Sequence, residues 1–355
     1  MLSAPSKPPA VMPQYADSIL DLVGDTPLVR LRRFLPSLGP VDQQPLVLAK
    51  LEMLNPGGSV KDRIGLRMIE AAERDGRLLP GGTIVEPTSG NTGVGLAIAA
   101  AIKGYRCVFV MADKQSEDKR ALLRAYGAQV VVCPTNVPPE SPDSYYRTSE
   151  RLVREIPGAF MPGQYWNQEN PRAHEATTGP EIWSQTAGQV THLVAGAGTG
   201  GTLTGSARYL RTVRPDLVVV GGDTEGSVYS GDAPRPYLTE GVGEDFIPDT
   251  IDLTLIDRWV RVSDREAFQA ARKLVRTEGI LAGGSSGTAL VAALAVVEDL
   301  VATGQGAGKV VVVILPDSGR NYLSKVFNDD WMRAHDFLEE DSRQPVSSGR
   351  GRGAS

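Results

Sequence analysis

The chain predicts an α/β protein whose sheets are mainly parallel and flanked by helices on both faces. Three observations predict it. Short, nearly continuous apolar runs recur along the 355 residues, which is how strands buried on both faces read. Most are followed by a polar, glycine-rich turn and then by a stretch of helical length, the alternation that builds parallel sheets. A composition of 41% hydrophobic and 22% charged residues is ordinary for a globular enzyme and allows one large or two modest domains.

Residues 1–16, rich in Pro, Ser and Ala, and 338–355, polar and Gly/Ser-rich, are predicted as disordered tails because neither buries enough surface to order itself. Between them, strands are expected at 45–51, 83–86, 107–111, 129–133, 191–195, 217–221 and 309–315, each a short run rich in Val, Ile or Leu. Helices are expected from Lys61, through 96–102, from about 202, and over 288–302, while the proline-rich stretch 134–142 reads as a loop. No internal repeat is present, no N-terminal apolar stretch has signal-peptide length, and no run is expected to approach a membrane span. A net charge of −5 without a continuous basic run argues against nucleic-acid or anionic-membrane partners. Cys107 and Cys133 have neither zinc spacing nor a disulfide-scaffold count; they read as small core residues in a reducing cytoplasm. His174, His192 and His335 are scattered, read as structural, and imply no metal site.

Asn55-Pro56-Gly57-Gly58-Ser59-Val60-Lys61-Asp62-Arg63 puts a lysine directly behind a Pro-Gly-Gly turn at a helix start. The helix dipole disfavours a cation there and so favours the neutral amine, the form that makes Schiff bases. Taken alone, the segment reads equally as surface charges around a turn. Further on, Thr88-Ser89-Gly90-Asn91-Thr92-Gly93 lies between an apolar run and a helix. Strand, polar turn, helix leaves N–H groups and hydroxyls at a helix N-terminus, a good cradle for a carboxylate.

Gly196-Ala197-Gly198-Thr199-Gly200-Gly201-Thr202 again joins a strand to a helix, and its glycines expose consecutive N–H donors to a phosphate. The same spacing satisfies the dinucleotide fingerprint, with Asp223 lying ~20 residues on, where a ribose-binding acid would sit. These residues by themselves leave a nicotinamide site and a monophosphate cup equally open. Gly283-Gly284-Ser285-Ser286-Gly287 reads either as a helix entry capped by Ser285 or Ser286, or as a turn offering a serine hydroxyl to a buried heteroatom. Pro316-Asp317-Ser318-Gly319-Arg320-Asn321-Tyr322 follows the strand-like run 309–315, at the strand end where open α/β sheets bind ligands.

These five segments occur in the order seen in the cysteine synthase and cystathionine β-synthase family, and the chain resembles that family over residues 17–337. The resemblance implies a fold-type II, tryptophan synthase β-like pyridoxal phosphate enzyme with two lobes, the smaller near 86–160 and inserted in the larger. It implies pyridoxal 5'-phosphate held by Lys61, with Asn91 on its phenolic oxygen, Gly198, Thr199, Gly200, Gly201 and Thr202 around its phosphate, and Ser285 facing its pyridine nitrogen. Thr88, Ser89 and Thr92 would bind the substrate carboxylate, with Gln164 and Tyr165 closing nearby. The dinucleotide reading explains neither Lys61 nor the Asn91 loop, and a nicotinamide-dependent oxidoreductase becomes the last of the alternatives. Residues 64–76, Glu225-Gly226-Ser227, 240–246 and 320–332 look more like the cystathionine β-synthase branch. That implies β-replacement on L-serine by L-homocysteine, with O-acetylserine or O-phosphoserine plus sulfide, or a diaminopropionate-forming reaction with ammonia, as alternatives. Amino-acid and thiol substrates and a homodimer are expected. No haem is expected, because no Cys or His precedes Cys107, and no adenosyl-sensing modules are expected after Phe337. An inactive, binding-only homologue is disfavoured by the presence of Lys61, Asn91 and Ser285. Glu244 departs from relatives that have a tyrosine near the substrate, so a carboxylate there is expected to bear on which substrate is accepted.

Overall fold

Strands and helices alternate along the residues described by the computed structural model, which are 15–35, 40–113, 115–138 and 140–338. The predicted tails lie outside these residues except for 15, 16 and 338. In chain order come β1 (Leu28–Arg30), β2 (Leu46–Leu51), α1 (Lys61–Arg74), β3 (Thr83–Pro87), α2 (Asn91–Lys103), β4 (Arg106–Ala112), α3 (Glu117–Ala125) and β5 (Gln129–Cys133). Next are α4 (Tyr145–Glu155), β6 (Ala159–Phe160), α5 (Glu169–Ala176), α6 (Thr178–Gln185), β7 (His192–Gly196) and α7 (Gly201–Val213). The remainder is β8 (Val218–Thr224), β9 (Arg258–Val262), α8 (Asp264–Glu278), α9 (Gly284–Ala302), β10 (Val310–Leu315) and α10 (Asp329–Ala334).

A six-stranded sheet runs β1-β2-β10-β7-β8-β9, and a four-stranded sheet runs β5-β4-β3-β6. Every pairing is parallel except β1 with β2. β10 shows why its sequence is apolar without alternation. Val311, Val313 and Leu315 pack with residues of α8 and α9, whereas Val310, Val312 and Ile314 pack with residues of α6 and α7 on the opposite face. A third cluster joins Ile64, Met68 and Ile69 of α1 and Leu96 to Ala100 of α2 to Ile84, Phe109 and Met111 of the smaller sheet.

All seven expected strands form, with ends within three residues. β1, β6 and β9 escape the sequence because β1 and β6 are two or three residues long and β9, an edge strand, has two arginines among its five residues. One expectation is corrected: α9, with 19 residues and mean hydropathy 1.5, is long and apolar enough to cross a membrane by length and composition. Its apolarity serves the core instead, since Ala289, Leu290, Ala293, Val296 and Val297 are buried on the large sheet. Cys107 and Cys133 are free and buried.

Helices α1 and α2 cross at two glycines. A Cβ on Gly65 would lie 2.5 Å from the carbonyl carbon of Gly95, and one on Gly95 would lie 2.5 Å from the carbonyl oxygen of Lys61. No side chain fits between these backbones, so the first residue of α1 is seated directly on the first turns of α2.

Candidate active site

The loops at the carboxyl ends of β2, β3, β7 and β10 meet. Within the β2–α1 loop, the Val60 N–H donates to the Pro316 carbonyl at 2.8 Å, and the Ser318 N–H donates to the Gly58 carbonyl at 3.2 Å. Lys61 is thereby fixed against the loop that follows β10. Burial lowers its pKa, and the charges of Glu244 and Asp317 pull it partly back, so the amine is easier to hold neutral than a free lysine. Its neighbour Arg63 is not a surface charge. It is 3% exposed and binds Glu52 at 2.7 Å and Glu181 at 2.6 Å, while Lys50 reaches Glu181 at 2.6 Å. Breaking such a buried network by removing one partner costs about 3–5 kcal/mol, and here the network anchors the helix that carries Lys61.

Asn91 opens α2, and its amide nitrogen donates to Asp317 Oδ2 at 2.9 Å; the Tyr322 hydroxyl donates to the same oxygen at 2.7 Å. The other Asp317 oxygen is buried without a partner. The expected carboxylate-binding residues divide their tasks. Thr88 Oγ1 accepts from the Gly90 and Gly93 N–H groups at 3.1 and 3.2 Å and so shapes the start of α2. Ser89 is exposed, and the Thr92 hydroxyl donates to Gln164 Oε1 at 2.6 Å. The Lys119 stem packs over Gly90, and its ammonium pairs with Glu240, which Lys325 also reaches at 2.9 Å.

Within the Gly198–Thr202 segment, Gly200 is the N-cap of α7, with φ +77°, and Gly201 and Thr202 begin the helix. A Cβ on Gly198 would meet the Gly241 carbonyl at 2.8 Å, one on Gly200 the Ile251 side chain at 2.3 Å, and one on Gly201 Asn170 Oδ1 at 1.9 Å. The loop is thus cradled on its outer side, and its polar side chains are braced from behind. Asn170 Nδ2 donates to Thr199 Oγ1 at 3.0 Å, and Thr202 Oγ1 lies 3.2 Å from Nε2 of His174. Burial holds the His174 pKa well below its usual value, so the ring is neutral. Ser285 is the second residue of α9, behind the Gly283 N-cap, which makes no side-chain cap. It is 3% exposed, and its hydroxyl lies 3.9 Å from the position of a Cβ on Gly241.

Tyr165 is half-buried with its ring 5.5 Å from that of Phe246. Glu244 follows Gly243, whose N–H donates to the Ala197 carbonyl at 2.7 Å; its own N–H donates to Ser227 Oγ at 3.1 Å. The Glu244 carboxyl is pushed up to about 8 by burial and by Asp245, with Lys61 opposing. Glu86, Asn170 and Asp317 carry much of this geometry, yet the sequence assigns them no role. Each has a partner distant in the chain, Gly163 77 residues from Glu86, Thr199 29 from Asn170 and Asn91 226 from Asp317, and only Asp317 has a signal, its place behind a buried strand.

The family described as pyridoxal-phosphate dependent enzyme matches residues 19–317. The chain belongs to the pyridoxal-phosphate dependent enzymes. Among curated relatives, cystathionine beta-synthase of Oryctolagus cuniculus is 48% identical over 345 residues, 96% of this chain and 60% of that protein. That of Saccharomyces cerevisiae is 41% identical over 92% of this chain and 67% of its own length. This pyridoxal-phosphate enzyme thus spans about 60% of the length of the first of these relatives. Among solved structures, the O-acetylserine dependent cystathionine beta-synthase of Helicobacter pylori is 38% identical, with a TM-score of 0.80 over 88% of this chain and 98% of that one. Cysteine synthase of Entamoeba histolytica is 32% identical, with a TM-score of 0.80 over 91% of this chain and 93% of that one. The residues fit the cofactor. Lys61 supplies an amine disposed to be neutral, the tightly cradled glycines leave α7 N–H groups for a phosphate, and Ser285 offers an uncharged hydroxyl.

Proposed function

We propose that this pyridoxal-phosphate enzyme joins L-serine and L-homocysteine into L-cystathionine with release of water. The observation that carries this reading is the match to relatives named cystathionine beta-synthase, 41–48% identical over at least 90% of the chain. Pyridoxal phosphate, when bound, supplies the electron sink that makes the α-hydrogen of serine acidic. The Lys61 amine takes that proton from Cα and delivers one to the departing hydroxyl oxygen, which leaves as water. After the homocysteine sulfur bonds to Cβ, Lys61 returns a proton to Cα, balanced by the proton lost from the thiol. Ser285, being uncharged, withdraws fewer electrons than a charged partner would, which favours loss of the β-substituent over transamination. Thr88, Ser89 and Thr92 orient the serine carboxylate, and Gln164 and Tyr165 close over it. The same reading includes a homodimer in the cytoplasm and a smaller lobe near 86–160.

A second reading, cysteine synthesis from O-acetylserine and sulfide, is favoured by the Entamoeba structure, which is named cysteine synthase, while the Helicobacter name attaches O-acetylserine dependence to a cystathionine beta-synthase. The two are separated by kcat/KM. We expect L-serine with L-homocysteine to exceed O-acetylserine with sulfide. Because burial lifts the Glu244 carboxyl to about 8, it is expected to disfavour O-phosphoserine only as pH rises through that value, where its ionised form opposes a phosphate dianion. A tenfold preference for O-acetylserine or O-phosphoserine with sulfide, about 1.4 kcal/mol at the transition state, overturns the cystathionine reading.

A further inference from the structure

The smaller sheet ends in an unusual substitution. β3 and β6 pair only at Thr83 with Ala159 and Ile84 with Phe160. Two residues further along β3, the chain after β6 has departed from the ladder, and the Glu86 side chain takes the place of the missing backbone acceptors. Its Oε2 accepts from the Gly163 N–H at 2.8 Å and its Oε1 from the Gln164 N–H at 3.0 Å. Glu86 is 1% exposed, and no basic side chain is paired with it among the described residues. Burying a carboxyl without a counter-ion is costly, and an ordinary strand partner would satisfy the same N–H groups without that cost. What the carboxyl permits is the turn itself, with Gly163 at φ +69°, which carries Gln164 and Tyr165 away from the sheet.

Gln164 then faces two ways. Its side-chain oxygen accepts from Thr92, in the first turn of α2, at 2.6 Å. Its carbonyl accepts from Asn170 Nδ2 at 2.8 Å, and that same nitrogen donates to Thr199 Oγ1 at 3.0 Å. Thr92, Gln164, Asn170 and Thr199 are all buried. A continuous buried chain therefore links the α2 loop to the glycine loop before α7, and Glu86 grips its midpoint through the Gly163 and Gln164 N–H groups. We propose that Glu86 is a positioning residue that, through Gln164, sets the substrate-carboxylate loop and the cofactor-phosphate loop in register with each other. The proposal rests on the assignment of those two loops in the preceding subsection.

The test compares the holoenzyme with Glu86→Gln, which keeps the side-chain volume but turns one acceptor into a donor facing an N–H. Affinity for the first amino acid is read at equilibrium, without thiol, from the change in cofactor absorption on titration with L-serine. Glu86→Gln is expected to bind pyridoxal phosphate, to weaken L-serine about tenfold, and to release the cofactor severalfold faster after gel filtration, because Thr199 loses its brace. Thr92→Val also weakens L-serine, and the double variant is expected to lose no more than the worse single variant, since Glu86 reaches the carboxylate loop through Gln164 and its bond to Thr92. A Glu86 that merely stabilises the fold lowers Tm and gives losses that multiply with those of Thr92→Val. Unchanged L-serine affinity in Glu86→Gln, or multiplying losses, overturns the proposal. Should Glu86→Gln not fold, Glu86→Asp, a carboxylate too short to reach both N–H groups, is put through the same cycle with the same outcomes. A wild type that responds to O-acetylserine and not to L-serine overturns the serine reading alone, and the cycle is then read with O-acetylserine.

Discussion

At the scale of single residues, the site rests on charges held in unfavourable places. Lys61 is the clearest case, since burial removes the hydration that keeps an ordinary lysine protonated. Borohydride reduction of the holoenzyme is expected to add a phosphopyridoxyl mass to the peptide containing Lys61. Lys61→Ala is expected to lower turnover by about 10³-fold or more, while the glycine loop still binds cofactor weakly; label on another peptide, read by mass spectrometry, contradicts this assignment. Next to it, Asp62 is 2% exposed, with one oxygen accepting from the Gly57 N–H and the other unpartnered. Burial raises its pKa to about 7, above the roughly 4 of an unfolded chain. A folded-state value above the unfolded one gives stability that is complete below about pH 4 and lost as pH rises through about 7. Thermal unfolding between pH 5 and 7 is therefore expected to show the wild type losing stability relative to Asp62→Asn, on the order of 1 kcal/mol per pH unit. Parallel curves refute it.

At the scale of elements, the decisive feature is the crossing of α1 and α2, where Gly65 and Gly95 let the backbones touch. Gly95→Ala would put a methyl against the carbonyl of Lys61, so the helices must part. We expect about 2–3 kcal/mol of destabilisation and a loss of kcat/KM near 10²-fold, because a shift of about 1 Å in a catalytic group is enough for that. Thermal unfolding and kinetics on the same preparation check both; normal kinetics in a destabilised variant would show that the crossing supports the fold alone. The crossing also marks where sequence reading stops. The Lys61 motif, the Thr88–Gly93 turn, the Gly198–Thr202 loop and Ser285 are legible because each is a contiguous signal written in backbone needs: turns, helix starts, close approach. Arg63 reads as an exposed charge because its partners Glu52 and Glu181 are not its neighbours in the chain, and Glu181 is 118 residues away. Glu86 and Asn170 are ordinary polar letters until the fold brings Gln164 and Thr199 beside them. Among the elements, continuous apolar strands are legible, whereas β1 and β6 are too short and β9 too charged to stand out.

At the scale of the molecule, the two sheets differ in how the chain supplies them. The strands of the smaller sheet come from one stretch, residues 83 to 160, whereas the larger draws strands from both sides of that stretch. The last strand, β10, is inserted between β2 and β7, with six register pairs to β2 and three to β7. Order of synthesis follows from that placement. On a ribosome, β2 and β7 both emerge before the strand that joins them, and each presents an unpaired apolar edge until Val310–Leu315 arrives. No strand of the smaller sheet lies downstream of Phe160. In refolding followed by pulsed hydrogen exchange, amides of β3, β4 and β5 are expected to gain protection before those of β2 and β7, and the latter two together with β10. Simultaneous protection of both sheets would contradict this order. The nascent chain thus carries a sticky half-sheet for most of its translation, and a binder that shields that edge, such as a general chaperone, is expected to raise the yield of folded enzyme without touching its chemistry.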